Sequence, residues 1–253
     1  ADAFLAENAT RAAWAPAALA EALGDATAPL KIGGARDAWA GLRSAGDGAR
    51  AADFLANLDA EERYLHDWSL TNTNLRWRVP RWLAADLFQK AKGEDLPFVD
   101  CWPSLFVGPA GTTSELHVDA VASHFCMGLL HGEKKWTIWR PADAAWLRPR
   151  FADGGDDPLF DGPGDGGAPA PYEATQTPGD LLFVPGGAPH RVANVAATVG
   201  VAANFVDASN RDRAAAAIAA LPDPGAAELA RQLLELDVDD APPDRHASWA
   251  EFK

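Results

Sequence analysis

Three side chains, His117, Asp119 and His190, have the types and placement to hold one metal ion. His117-Val118-Asp119 reads as part of a strand, where residues i and i+2 project from the same face. An imidazole and a carboxylate then aim into one space, as neighbouring ligands of a single ion must. An HxD triplet alone is common by chance, and His190 adds the specificity. It follows Gly179-Asp180-Leu181-Leu182-Phe183-Val184-Pro185, a turn feeding an apolar strand, and a glycine turn then leads into the strand that carries it. The two strands are expected to form a hairpin, with His190 facing the interior. Two imidazole nitrogens and one hard oxygen, with coordination positions left over, suit divalent iron. The bland alternative is a His190 that caps a core strand and an Asp119 that is merely solvated. His124 and His131 lie nearby, but neither pairs with a carboxylate in such a pattern.

A cation is the next requirement. In His131-Gly132-Glu133-Lys134-Lys135-Trp136, one strand ends at Gly132 and Lys134 or Lys135 opens the next. A dicarboxylate that chelates a metal through one end leaves its other carboxylate deep in the interior, where it needs a buried positive charge. Lys134 is the better candidate of the two, because a buried lysine needs such a partner. The alternative is an exposed hairpin lysine.

These residues must be carried by a β-rich core. From Pro103 onward, short apolar runs alternate with Gly, Pro and Asp turns: 104–107, 115–119, 124–130, 135–139, 181–184, 191–195 and 199–205. Evenly spaced short strands predict an antiparallel sandwich or barrel. The Gly-, Asp- and Pro-rich stretch from Asp153 to Pro171 reads as a surface loop inserted between strands. Residues 1–100 read as mostly helical, with helices over 3–24, 51–64 and 81–92 and a short strand at 29–33. The tail is helical over 211–236, interrupted at Pro222–Gly225. The expected division is therefore a helical region at 1–100, a core at 101–207 with an insertion at 141–178, and helices at 208–253.

Composition narrows the function classes. The chain has 253 residues, 48% hydrophobic and 23% charged, an ordinary globular balance. Its net charge of −14 repels phosphate backbones and disfavours nucleic acid as a partner, while attracting basic protein segments. Cys101 and Cys126 are too few for a disulfide framework or a CxxC zinc site, which points to a reducing, intracellular compartment, cytoplasmic or nuclear. No run approaches the ~20 apolar residues of a membrane span.

Taken together, these motifs resemble the Jumonji C (JmjC) oxygenases of the cupin superfamily. Ser104 to Asp119 is similar to the segment leading into the family's iron motif, with a Gly-Pro turn and a hydroxyl residue three positions before the histidine. Gly132-Glu133-Lys134-Lys135-Trp136 matches the family's Gly-x-Lys-x-Trp, and Pro178-Gly179-Asp180 through His190 matches its distal-histidine strand. Asn204-Phe205 resembles the pair that closes the last core strand, and Tyr64-Leu65-His66-Asp67-Trp68 a segment preceding the barrel in the protein hydroxylases. The similarity runs from about Tyr64 to Phe205.

The resemblance implies a double-stranded β-helix, a cupin-like jelly roll with flanking helices. It implies Fe(II) held by His117, Asp119 and His190, with 2-oxoglutarate and O2 as co-substrates. Lys134 would bind the far carboxylate of 2-oxoglutarate, Ser114 would hydrogen-bond it, and Asn204 would line the pocket. Two departures stand out: Met127 where many relatives carry Asn, and Ala188-Pro189 where aromatic residues often precede the histidine. The implied activity is hydroxylation of a protein side chain in a basic segment. Alternatives are N-methyl-lysine demethylation by the same chemistry, and a non-catalytic cupin-like binding protein. A small-molecule cupin with three histidines and a glutamate fits the HxD pattern poorly. Five aspartates of the insertion, at positions 153, 156, 157, 161 and 165, are candidates for recruiting the basic partner.

Overall fold

The computed structural model describes residues 11–35, 38–75, 86–99, 101–151, 158–163 and 169–238. The N-terminal part holds helix α1 (Pro16–Leu23), strands β1 (Thr27–Ala28), β2 (Leu30–Ile32), β3 (Arg43–Ser44) and β4 (Ala49–Arg50), helix α2 (Ala51–Ala56), strand β5 (Tyr64–Ser69) and the single-turn helix α3 (Leu87–Lys90). The core strands follow: β6 (Ser104–Gly108), β7 (Thr113–His117), β8 (His124–His131), β9 (Lys134–Ile138), β10 (Leu147–Phe151), β11 (Pro158–Pro163), β12 (Tyr172–Gln176), β13 (Leu181–Val184), β14 (His190–Asn194) and β15 (Thr198–Phe205). Helices α4 (Arg211–Ala219) and α5 (Ala226–Glu235) close the described chain, separated at the expected Pro222–Gly225 break.

Two antiparallel sheets form a jelly roll. One has six strands in the order β10-β11-β7-β14-β9-β12, the other seven in the order β13-β8-β15-β6-β5-β2-β3. Successive core strands mostly alternate between the sheets, so neighbours in sequence face each other across the interior. The expected hairpin of 181–184 with the His190 strand is therefore not formed. β13 pairs with β8, whereas β14 pairs with β7 and β9 in the other sheet. The Pro185–Pro189 turn crosses between sheets and delivers His190 as the first residue of its strand. Both β9 and β14 begin one residue earlier than the apolar runs suggest.

The inner faces meet in a cluster that includes Tyr64, Phe106, Phe125, Met127, Trp136 and Val192. The outer face of the larger sheet is covered by the N-terminal part: Leu19, Leu23, Phe54 and Leu55 pack on Leu65, Leu105, Val107 and Val201. The helix expected over 51–64 stops at Ala56, and Tyr64 opens β5 instead. That strand lies between the inner cluster and the N-terminal helices. Covered on both faces, it lacks the polar alternation by which a half-exposed strand is recognised.

A second cluster joins the C-terminal helices to Leu87, Phe88 and Trp102. Asp86 connects these parts: its Oδ1 accepts the backbone N–H of Phe88 at 3.1 Å and of Val206 at 3.0 Å. The insertion includes strand as well, since β11 falls within it and pairs with β10 and β7. Residues 1–10, 81–85, 152–157 and 164–168 lie outside the described residues, and with them most of the acidic positions of the insertion. Among the described residues no helix is long and apolar enough to cross a membrane.

Candidate active site

His117 ends β7, His190 begins β14, and the two are paired across the sheet. Asp119 lies just beyond the strand rather than on it, but its backbone stays extended at φ −70°, ψ 153°. Its side chain thus still turns to the same space. The candidate ligand atoms of the three residues all lie within 4.8 Å of one another. The two rings are 4.3 Å apart at their centroids, and His190 Nε2 is 3.9 Å from Asp119 Oδ2.

Backbone carbonyls orient both rings. His117 Nδ1 donates to the Glu115 carbonyl at 2.5 Å, and His190 Nδ1 to the Ala188 carbonyl at 3.0 Å. A carbonyl only accepts, so each Nδ1 carries the proton and each Nε2 presents a lone pair. Burial pushes the His117 pKa well below the usual imidazole range, and burial pushes the Asp119 carboxyl up. Asn204 partly opposes that rise at Asp119, and its Nδ2 donates to Ser123 Oγ at 2.9 Å. Among the described residues no lysine or arginine pairs with Asp119. A buried carboxylate beside imidazole lone pairs is costly unless a cation joins it. The donor set therefore fits a divalent metal ion.

The far end of the pocket is built on the β8–β9 turn. Gly132 has φ +82°, and a Cβ there would come within 2.0 Å of the Ala197 carbonyl oxygen, so this tight turn requires glycine. It sets which lysine points inward. Lys134 is 1% exposed, whereas Lys135 faces solvent beside Glu173. Lys134 Nζ donates to Asn194 Oδ1 at 2.7 Å and to Tyr64 Oη at 3.2 Å. Its third N–H remains for a ligand, and no carboxylate of the described residues neutralises it. Burial lowers its pKa to about 7. Asn194 is itself held by Thr112 and Thr198 hydroxyls at 2.7 and 3.1 Å.

Between the triad and Lys134 lies a pocket of about 430 Å3, part of it open to solvent. Ser114 and Met127 line it from opposite sheets. Trp39 closes one side: its ring stands edge-on to His117 at 4.6 Å, and its Nε1 donates to the Val118 carbonyl at 3.1 Å. His66 is buried against Trp39, Tyr64 and Phe106.

The profile of the cupin-like domain matches residues 10–210. The chain belongs to the cupin-like domain family. Its cupin-like domain contains every residue of the pocket. Among characterised proteins, the human "2-oxoglutarate and iron-dependent oxygenase JMJD4" is 30% identical over 157 residues, 58% of this chain and 37% of the relative. The Danio rerio protein of the same name is 26% identical over 165 residues, 59% and 37% of the two chains. The "bifunctional arginine demethylase and lysyl-hydroxylase psr-1" of Caenorhabditis elegans is 27% identical over 176 residues, 62% and 43%. The match thus spans less than half the length of each relative.

The cupin-like domain brings all six expected site residues together: His117, Asp119, His190, Lys134, Ser114 and Asn204 all line the pocket. Several further contributors escaped sequence reasoning. Asn194 had a signal, since His190, Val192 and Asn194 alternate along one strand face. Tyr64 sits in the quoted Tyr-Leu-His-Asp-Trp segment, but nothing local says that its hydroxyl meets a lysine 70 residues away. Trp39 lies outside any motif.

Proposed function

We propose that this protein is an Fe(II)- and 2-oxoglutarate-dependent oxygenase that hydroxylates a side chain of a protein substrate. The observation that carries the proposal is the pairing of two opposed sites in one pocket. At one end, two histidine Nε2 lone pairs converge with an otherwise unneutralised carboxylate. At the other, a buried lysine has no counter-charge. A metal ion answers the first and a dicarboxylate's far end the second.

In this reading His117, Asp119 and His190 hold the iron. Lys134 takes the distal carboxylate of 2-oxoglutarate, assisted by Tyr64 and Ser114. With O2, the loaded centre supplies the oxidant that converts a C–H bond to C–OH while 2-oxoglutarate becomes succinate and CO2. The chain's own residues orient and exclude. Asn204 favours the charged form of Asp119, the Glu115 and Ala188 carbonyls fix the rings, and Trp39 shields the His117 side from water. The names of the relatives support the assignment, and that of the nematode relative, an arginine demethylase and lysyl-hydroxylase, supports a basic protein side chain as substrate.

The test is succinate release from 2-oxoglutarate with Fe(II), followed by mass spectrometry of a peptide panel for the gain of one oxygen. His117→Ala and His190→Ala should each abolish turnover and weaken Fe(II) binding. Unchanged turnover in both would falsify the assignment. Formaldehyde release in place of a stable oxygen gain would indicate demethylation.

A further inference from the structure

One carboxylate at the pocket rim is not used by the iron or co-substrate sites. Asp67 is the exposed residue of β5, where Tyr64, Leu65, His66 and Trp68 are buried. Tyr64 and His66 face the pocket, whereas Leu65 and Trp68 belong to the outer cluster. Regular alternation would send Asp67 outward with Leu65. The pairing of β5 with β6 instead shifts register between Leu65 and Trp68, and Asp67 takes a left-handed φ of 64°. The irregularity re-aims its side chain, so that Asp67 lines the pocket with Tyr64 and His66.

Among the described residues the carboxylate accepts no side-chain hydrogen bond, and its charge acts on Lys31 only from beyond ion-pair distance. No ion pair to it forms among the described residues. Lys31 is the nearby cation: its Nζ lies 3.3 Å from His66 Nδ1, and burial lowers its pKa while the Asp67 charge partly opposes that shift. The wall beside Asp67 is aromatic, formed by Trp39, His66 and Phe106. An aromatic wall ending in a free carboxylate suits a side chain with an apolar stem and a cationic tip. Such a chain can lie with its carbons along that wall and its charge at Asp67.

We propose that Asp67 is a specificity-determining residue that reads the cationic end of a lysine or arginine side chain entering this pocket. Its role rests on the oxygenase reading of the same site and adds the residue that recognises the basic side chain.

The test compares blocked pentapeptides, Gly-Ser-X-Ser-Gly, with X as lysine, arginine, norleucine or glutamate. Binding is read by saturation-transfer NMR without oxygen, with Fe(II) and 2-oxoglutarate present, so that no turnover is needed. The unaltered protein should favour lysine or arginine over norleucine by about fivefold, the upper range for a solvent-exposed ion pair. Asp67→Asn should narrow this to under about twofold, because the charge is lost while asparagine tolerates a left-handed backbone. Asp67→Gly, relaxed at that φ, should act alike and covers the case in which the asparagine variant folds poorly. A lysine or arginine preference that survives both substitutions, no preference in the unaltered protein, or a preference for glutamate lost in Lys31→Gln would each overturn the proposal. Succinate release in air is scored separately. Its absence with the peptide preference intact would remove the oxygenase reading and leave the Asp67 contact. Turnover without a charge preference would remove only the latter.

Discussion

In the proposed oxygenase, Lys134 is the side chain that governs co-substrate affinity most directly. With Nζ held by Asn194 and Tyr64 and no acid beside it among the described residues, its burial is offset only when an anion binds. Lys134→Ala should therefore raise the apparent KM for 2-oxoglutarate by about 100-fold or more, on the scale of breaking a buried charge pair. Lys135→Ala should change it by less than about threefold, since that lysine makes only an exposed pair with Glu173. A larger effect at Lys135 would mean that the inward face of β9 is misassigned. The pH dependence has a defined sign. The free pocket lowers the Lys134 pKa to about 7, and a bound carboxylate raises it again. Above pH 7 binding must then take up a proton, so affinity for 2-oxoglutarate should fall as pH rises from 7 to 9. Calorimetric Kd values in that range should show the slope in the unaltered protein and lose it in Lys134→Ala. That His117, Asp119, His190 and Lys134 meet in one pocket was legible in the sequence, because their types and spacings are those a metal and a dicarboxylate would demand. Tyr64 and Asn194 were not assigned, because each acquires its role only when another strand brings the lysine alongside.

Among the elements, seven of the ten core strands were legible to within a residue or two, since turn residues punctuate each apolar run, whereas β10, β11 and β12 fall where the sequence suggested an insertion. Pairing was not. The hairpin expected at 181–195 is split between sheets, because adjacency in sequence does not say which sheet a turn leads to. Helix α3 depends on a contact that local sequence could not disclose, the one from Asp86 to the end of β15. Desolvation pushes the Asp86 carboxyl up to about 7 against an ordinary unfolded value of ~3.9. The sign follows from proton counting. Between these values the folded state binds more protons than the unfolded one, so stability falls as pH rises from about 4 to 7 and the cost is fully present above 7. Asp86→Asn keeps an acceptor for the Phe88 and Val206 N–H groups and removes the charge. Its melting temperature relative to the unaltered protein should be several degrees higher at pH 8 than at pH 5. An equal difference at both pH values would mean that Asp86 does not titrate with folding.

For the molecule as a whole, the sequence suggested a mostly helical region over 1–100, whereas strands β1 to β5 lie there among the described residues. Residues 27–69 supply strands β2, β3 and β5 to the larger sheet, and β5 carries Tyr64 and Asp67 into the pocket. Their patterns are short or buried on both faces, so local periodicity understated them. The larger sheet also has an order in time. Its strand β15 is the last of the core to leave the ribosome, yet it sits between β6 and β8, which are made far earlier. Until β15 emerges, those two strands have unpaired edges facing each other and no partner that fits between them. The nascent chain must wait for its keystone, and such long-range closure is slow. Chains ending at Asn194 should accordingly remain protease-sensitive and bind no metal, whereas chains extended through the C-terminal helices should become resistant in one step. Stepwise protection appearing before residue 198 would show that the smaller sheet can form first and hold the earlier strands in readiness.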